Sequence, residues 1–268
     1  MELEPEACAF YRRSLSVISE AGVPFLVGGA YAFERYTGVA RYTKDFDLFV
    51  RPRDAQPALD AFARAGYHTE MTSDVWLGKA YQGDLFVDFI FRSGNGVSEV
   101  GDTWFEHAVE GQVLGMSVKL CPPEELIWMK AFIMDRERYD GADVAHLIRA
   151  CAADLDWPRL LREFGSHWRV LLSHLVLFGF IYPDETSPVP GDIMHQLLAR
   201  LRTEVEAPNN PASPNAAQPT CRGTLLSRTQ YLIDVDRWGY KDGRLTPDGN
   251  LTRDEVASLN KDVGTPKT

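Results

Sequence analysis

The sequence predicts an α+β protein: a mixed β-sheet flanked by helices, followed by an all-helical domain. Three observations carry this. Between residues 27 and 50 the chain passes from an apolar run through Gly28-Gly29, a helix-like 30–36 and Arg41-Tyr42-Thr43-Lys44 into Asp45-Phe46-Asp47-Leu48-Phe49-Val50, which reads as strand, tight turn, helix, strand. Short runs at 67–71, 75–77 and 85–91 are rich in the β-branched and aromatic residues that favour strands. From 144 to about 206 apolar residues recur at helical spacing in successive segments.

Taken in order, residues 5–21 form an opening helix, with Phe10, Leu15, Val17 and Ile18 on one side and Gly22 ending it. Its expected role is packing on the sheet. Residues 23–27 are the first strand. After Val50, Arg51-Pro52-Arg53-Asp54 turns the chain, with Asp54 as N-cap of a helix over 55–65 that Gly66 closes. Strands then follow at 67–71, 75–77 and 85–91. Ser93-Gly94-Asn95-Gly96 is a loop, residues 97–116 show little pattern beyond an amphipathic piece at Trp104 and Phe105, and 117–121 is a last strand. Pro122-Pro123-Glu124-Glu125 begins a helix that runs through Leu126, Ile127, Met129, Lys130, Phe132 and Ile133, with prolines and acids where a first turn favours them. Asp140 and Asp143 read as an N-cap with an acid at the third helical position. Helices follow at 144–152, 157–164, 168–180 and 193–205. The expected division is therefore 1–121 for the sheet domain, 122–206 for the helical domain, and 207–268 for a Pro/Asn/Ala linker and a disordered polar tail. In that tail only Tyr231-Leu232-Ile233 and a capping box at Thr252-Arg253-Asp254-Glu255 suggest local order. A calcium loop at residues 234–245 fails, because Trp238 and Leu245 stand at the fifth and twelfth positions.

The chemistry concentrates on the second strand. Its period of two places Asp45, Asp47 and Phe49 on one face and Phe46, Leu48 and Val50 on the other. The two acids stand about 6.6 Å apart along the strand, where like charges repel by about 2.5 kcal/mol at an effective dielectric of 20. A cation should offset that. Paired carboxylates suit Mg²⁺, which fills the rest of its octahedron with water and substrate phosphates. A glycine turn opening a helix lets backbone N–H groups approach a phosphate. Asp88 shares its face with Phe86 and Ile90, so this acid stands in an apolar row and calls for a metal or a cationic partner.

The pattern Val27-Gly28-Gly29-Ala30, a helix, Asp45-Phe46-Asp47 and a third acid at Asp88 resembles the DNA polymerase beta-like nucleotidyltransferase superfamily. Within it, the chain is most similar to the bacterial branch that holds toxin–antitoxin nucleotidyltransferase toxins and antibiotic nucleotidyltransferases. The resemblance covers roughly residues 20–150, with a somewhat long interval from Gly29 to Asp45. It implies a nucleotidyltransferase core and an Mg²⁺-dependent transfer of a nucleoside monophosphate from an NTP to an acceptor hydroxyl. In these terms Asp45, Asp47 and Asp88 are the catalytic acids and metal ligands, with Asp45 and Asp47 holding Mg²⁺ against the triphosphate and Asp88 binding a second metal or acting as base toward the acceptor; Gly28 and Gly29 cradle phosphates, and Arg41 and Lys44 are auxiliary phosphate contacts. Lys130, followed by Arg138, Asp140 and Asp143, matches a further recurrent pattern of that branch and is a candidate nucleotide contact. The alternative is a catalytically idle member serving as a binding module, such as one half of a toxin–antitoxin pair.

Composition narrows the partners. The 268 residues carry a net charge of −10 with no Lys/Arg block, so no extended nucleic-acid surface is expected. The acceptor is then a small molecule, a protein or, through a local patch, a tRNA end. No run of eighteen apolar residues is present and the acidic amino terminus is unlike a signal peptide, so a cytoplasmic protein without a membrane partner is expected. Cys8, Cys121, Cys151 and Cys221 are scattered, without the paired spacing of a zinc site or a disulfide framework. His146, His167, His174 and His195 have no ligand spacing either.

Overall fold

The computed structural model describes residues 4–41, 43, 45–183, 188–207 and 218–261. Lys44 and the linker at 208–217 lie outside the described residues. The chain divides into two compact units, one formed by residues up to Leu126 together with those from Asn250, the other running from Ile127 to Gly249. This boundary differs from the expected one at 121, and the end of the chain returns to the first unit.

The first unit holds α1 (Pro5–Glu20), β1 (Leu26–Val27), α2 (Gly29–Thr37), β2 (Asp45–Phe49), α3 (Pro52–Arg64), β3 (His68–Ser73), β4 (Leu77–Gln82), β5 (Leu85–Ile90), α4 (Asp102–Glu106), β6 (Val109–Val113) and β7 (Met116–Leu120). Its seven strands form one mixed sheet in the order β3-β4-β5-β2-β1-β7-β6. The central strands β5 and β2 run parallel, as do β1 and β7, while the other neighbours are antiparallel. One sheet face is apolar: Phe46, Leu48, Val87 and Phe89 are fully buried there in a core shared with Tyr11, Leu15 and Ile18 of α1 and Leu59 and Phe62 of α3. Full burial of each such side chain contributes about 1.5–3 kcal/mol, so α1 and α3 pin the sheet by this face. The polar alternates of β2 are left for the other.

Several local expectations change. The second strand of the β3–β5 meander covers Leu77–Gln82 and not 75–77, since the two-residue turn at Gly83-Asp84 pairs it with β5 along its whole length. β6 is a strand that its polar sequence concealed, paired to β7 across the turn at Leu114-Gly115. Asp54 does not cap α3; the N-cap position falls to Arg51, and Asp54 in the first turn pairs with the Arg51 guanidinium.

The second unit carries the remainder of α5 (Pro123–Ala131), within which the boundary falls, then α6 (Gly141–Cys151), α7 (Trp157–Phe164), α8 (Trp168–Ile181) and α9 (Gly191–Glu206). The helix begun at Pro123 stops at Ala131, two residues short of Ile133. Within the stretch Trp157–Ile181 an 18-residue window reaches a mean hydropathy of 1.2, apolar enough by composition to cross a membrane. Gly165–His167 breaks it, however, into pieces of 8 and 14 residues, each short of the roughly 20 a helical span needs.

The expectation of a disordered tail is corrected over residues 218–261. β8 (Thr220–Cys221) pairs with β9 (Lys241–Asp242), α10 (Arg228–Asp236) lies between them in sequence, and α11 (Arg253–Lys261) follows. In the second unit Arg244 and Asp242 are buried as an ion pair at 2.6 Å, and the Thr224 hydroxyl donates to the same carboxylate at 2.8 Å. In the first, Leu251 is fully buried against Gly96, and Asn250 donates its amide to the Gly96 carbonyl. The capping box at Thr252 forms as its spacing suggested: the Thr252 N–H donates to the Glu255 carboxylate at 2.7 Å and the Glu255 N–H to the Thr252 hydroxyl at 3.2 Å. Few apolar residues are needed, because charged pairs and caps hold this segment.

Candidate active site

The site is built on the sheet face opposite α1 and α3. Parallel pairing of β2 and β5 sets Asp47 beside Asp88 and Asp45 beside Phe86, so all three acids share that face. One carboxylate oxygen from each of Asp45, Asp47 and Asp88 lies within 4.8 Å of the others. Asp45 and Asp47 are half-buried and Asp88 is buried. The Thr43 hydroxyl donates to the Asp45 carboxylate.

The glycine pair roofs this cluster. Gly28 takes the N-cap position of α2, and its N–H donates to the Asp47 carbonyl at 3.0 Å, which ties the end of β1 to β2. A Cβ on Gly28 would run into the Phe49 ring. Gly29 has a positive φ of 51°, and a Cβ there would fall inside the Asp47 carboxylate. Only glycine permits this approach. The helix therefore starts directly over the acids, with the first-turn N–H groups of Gly29 and Ala30 lacking intrahelical acceptors. Three converging carboxylate oxygens beside a helix start form an oxygen donor set that fits a hard divalent cation such as Mg²⁺.

The third acid has a cationic partner that strand alternation around Asp88 alone did not reveal. Lys79 on β4 stands directly across from Asp88, and its Nζ donates to Asp88 Oδ1 at 2.7 Å. The same ammonium lies 4.2 Å from the centre of the Phe86 ring. Burial pushes the Asp88 carboxyl above its ordinary range; the Lys79 hydrogen bond and charge pull it down without cancelling that effect, and the nearby Asp45 adds to the rise. The signal for Lys79 was the Gly83-Asp84 dipeptide, since a two-residue hairpin there pairs 79 with 88.

Arg41 is exposed, with its guanidinium 5.5 Å over the Phe33 ring. It lines a cleft of about 1230 Å³ together with Tyr31, Glu34, Thr43, Gln82 and Asp84. The three acids are not among the residues lining this cleft, so its size says nothing about the acid cluster.

The family follows from a sequence profile described as a nucleotidyl transferase of unknown function (DUF2204), which matches residues 7–161. The chain belongs to this family. No curated protein gives a significant match. Among solved structures, the solution structure of the antibiotic-resistance factor ANT(2'')-Ia aligns with a TM-score of 0.47 at 19% identity, over 64% of this chain and 98% of that one. Lincomycin-bound lincosamide antibiotic adenylyltransferase LnuA aligns at 0.38 with 14% identity, over 55% and 98%. An antigenic nucleotidyltransferase-like protein from Paracoccidioides brasiliensis aligns at 0.43 with 15% identity, over 72% and 99%.

The matched part of this nucleotidyl transferase extends into the second unit, where Lys130 lies. Its Nζ is 2.7 Å from Asp143 and 3.1 Å from Asp140, and Arg138 donates twice more to Asp140 at 3.0 Å. Asp140 occupies the N-cap position of α6, but its side chain makes no capping bond. The capping-box expectation is corrected accordingly: both aspartates serve the lysine. Burial works to raise the Asp140 carboxyl, and Arg138 and Lys130 together outweigh it, leaving it below its ordinary range.

Proposed function

We propose that this member of the nucleotidyl transferase family transfers a nucleoside monophosphate from an NTP to an acceptor hydroxyl with the help of Mg²⁺. The observation that carries the reading is the convergence of Asp45, Asp47 and Asp88 within 4.8 Å beneath the glycine start of α2. Asp45, Asp47 and Asp88 would hold the ion. Bound there, Mg²⁺ would neutralise triphosphate charge and polarise the α-phosphoryl group. The N–H groups of Gly29 and Ala30 face the terminal phosphates, while Gly28, its own N–H spent on Asp47, contributes close approach. Arg41 would supply further positive charge, and Lys44, outside the described residues, stays a candidate phosphate contact by its place in the sequence.

In the reaction the acceptor oxygen forms a bond to the α-phosphorus, the bond from that phosphorus to the bridging oxygen breaks, and pyrophosphate leaves. Asp88 is the group placed to accept the acceptor's proton. Catalysis consists mainly of positioning and charge neutralisation. Lys130 is left outside the nucleotide site in this reading, since two carboxylates already hold its ammonium. The net charge of −10 favours a small-molecule or protein acceptor over a nucleic acid. Scattered cysteines fit a reducing cytoplasm.

The test is pyrophosphate release with Mg²⁺ and each of the four NTPs across a panel of hydroxyl-bearing small molecules. Asp47→Asn should keep the fold and abolish release. Turnover retained in that variant contradicts the metal assignment, and failure of any NTP to bind would turn the reading to an idle, partner-binding role.

A further inference from the structure

In the second unit α8 is apolar on both sides. Leu171, Leu172, Leu175 and Phe178 are buried along its inner side, whereas Val176, Leu177, Phe180 and Ile181 are 56%, 40%, 81% and 45% exposed along its outer one. A helix that is hydrophobic all round belongs where both sides are covered. α9 packs against α8 and adds Leu198 at 46% and Val205 at 75% exposure, about two helical turns apart on one stripe. Together these six residues leave about 600 Å² in water, the upper end of the apolar patches that single chains show.

We propose that this outer face of α8 and α9 is where a second copy of the chain docks, helix pair against helix pair about a two-fold axis. Such a contact buries the same face on both copies, so about 1,200 Å² would leave the water, enough for a specific interface at the small end of the range. The face is also self-complementary in charge. Its six apolar residues carry none, and the ions beside them are matched within the chain, Arg169 by Glu204 and Arg202 by Glu206. Two copies of a chain with a net charge of −10 can therefore meet here without bringing like charges into contact. Gly179 has open space beyond its Cα, so a facing helix can come close to the backbone of α8. A lipid surface suits the face less well. The 14 residues of α8 are short of the roughly 20 that a span needs, and an anionic leaflet repels an acidic chain.

The experiment is sedimentation equilibrium of the full chain from about 1 to 100 µM, the range in which an interface of this size dissociates. The wild type should reach twice the mass of one chain. Added salt, to about 0.5 M, should leave that mass unchanged, since an apolar contact is not screened. Phe180→Asp sets two carboxylates against each other across the axis and should weaken the dimer about a hundredfold or more, with the melting curve of the monomer intact. Trp238→Ser, a change at another exposed aromatic of the same unit, should stay dimeric. If Phe180→Asp does not fold, Val176→Lys serves in its place. A wild type that is monomeric at the highest concentration overturns the inference, and flotation of that monomer with phosphatidylcholine vesicles would give the face to a membrane instead. A dimer that survives both charged variants, or one that dissociates in added salt, also overturns it, because the contact would then lie elsewhere.

Discussion

In the first unit Lys79 meets Asp88 at 2.7 Å; in the second, Lys130 meets Asp143 at 2.7 Å and Asp140 at 3.1 Å. The pairs are similarly buried, yet the aspartates end on opposite sides of their ordinary value. Burial is the largest influence on each and acts to raise both. Asp140 receives Lys130 and two further bonds from Arg138, so its carboxylate is held low. Asp88 receives one lysine and lies near Asp45, so it stays high. An ion group supplied with enough donors settles into a brace, whereas one left short beside other carboxylates keeps chemistry available. In the proposed reading Lys130 serves as a brace, and Asp88 belongs to the reacting cluster.

The largest effect should separate the two groups by function. Asp47→Asn should lower turnover by on the order of 10²–10³ or more, the scale of losing a main electrostatic contact in a reacting site, with little change in melting temperature. Asp140→Asn should do the reverse, lowering the melting temperature while turnover per folded molecule holds. Loss of activity in the folded Asp140→Asn protein would break the contrast and bring Lys130 back toward the nucleotide.

Next come the lysines. Lys130→Met takes the shared ammonium from two half-buried carboxylates, of which Asp140 keeps Arg138, and should cost about 1.5–3 kcal/mol in urea unfolding. Lys79→Met should cost less, because Asp88 can take up a proton. Equal losses would mean that Asp88 is as firmly ionised as Asp140.

Acid then acts on the two units with opposite signs. Asp140 has a lowered folded-state value, so its contribution is complete above the ordinary 3.8 and is lost as pH falls further. His174, whose Nε2 lies 2.9 Å from the Ala131 carbonyl, is lowered by burial. Its contribution is complete above the ordinary 6.5 and is lost as pH falls below that. Asp88 is raised, so ionising it in the fold is unfavourable, and its effect on stability improves as pH falls through its folded value toward 3.8. Urea midpoints at pH 8 and pH 5 should therefore fall for the wild type and fall less for His174→Gln. An unchanged pH response in that variant would remove His174 from the account.

The smallest effect concerns the end of the chain: Thr252→Ala should cost about 1 kcal/mol through loss of the capping box. A null result in thermal unfolding would mean that burial of Val256 and Leu259 and the Arg92–Glu255 pair hold α11 without the box.

Much of this site could be read from residue order alone, because its determinants are local. Alternation puts Asp45 and Asp47 on one face, the glycines sit one short helix upstream, and Asp88 lies in an apolar run that marks a central strand. Lys79 escaped because Gly78-Lys79-Ala80-Tyr81-Gln82 has weak strand preference and the strand seemed to end at Leu77; only the register set by Gly83-Asp84 brings it to Asp88. Asp242 and Arg244 escaped for a related reason. Hydrophobic periodicity is blind to a segment whose buried groups are charged, so a polar tail looked disordered. Gly28 shows the converse: its type was noticed, but that its N–H would be spent on Asp47 depends on the pairing of β1 and β2.

The measurement that bears most directly on the central claim is thermal melting of the wild type and Asp47→Asn with each of the four NTPs, with and without Mg²⁺. A ligand at a hundred times its dissociation constant should add about 2.7 kcal/mol. The account predicts a stabilisation that needs both Mg²⁺ and a preferred NTP and disappears in Asp47→Asn. No shift with any NTP, or the same shift in the variant, would contradict it.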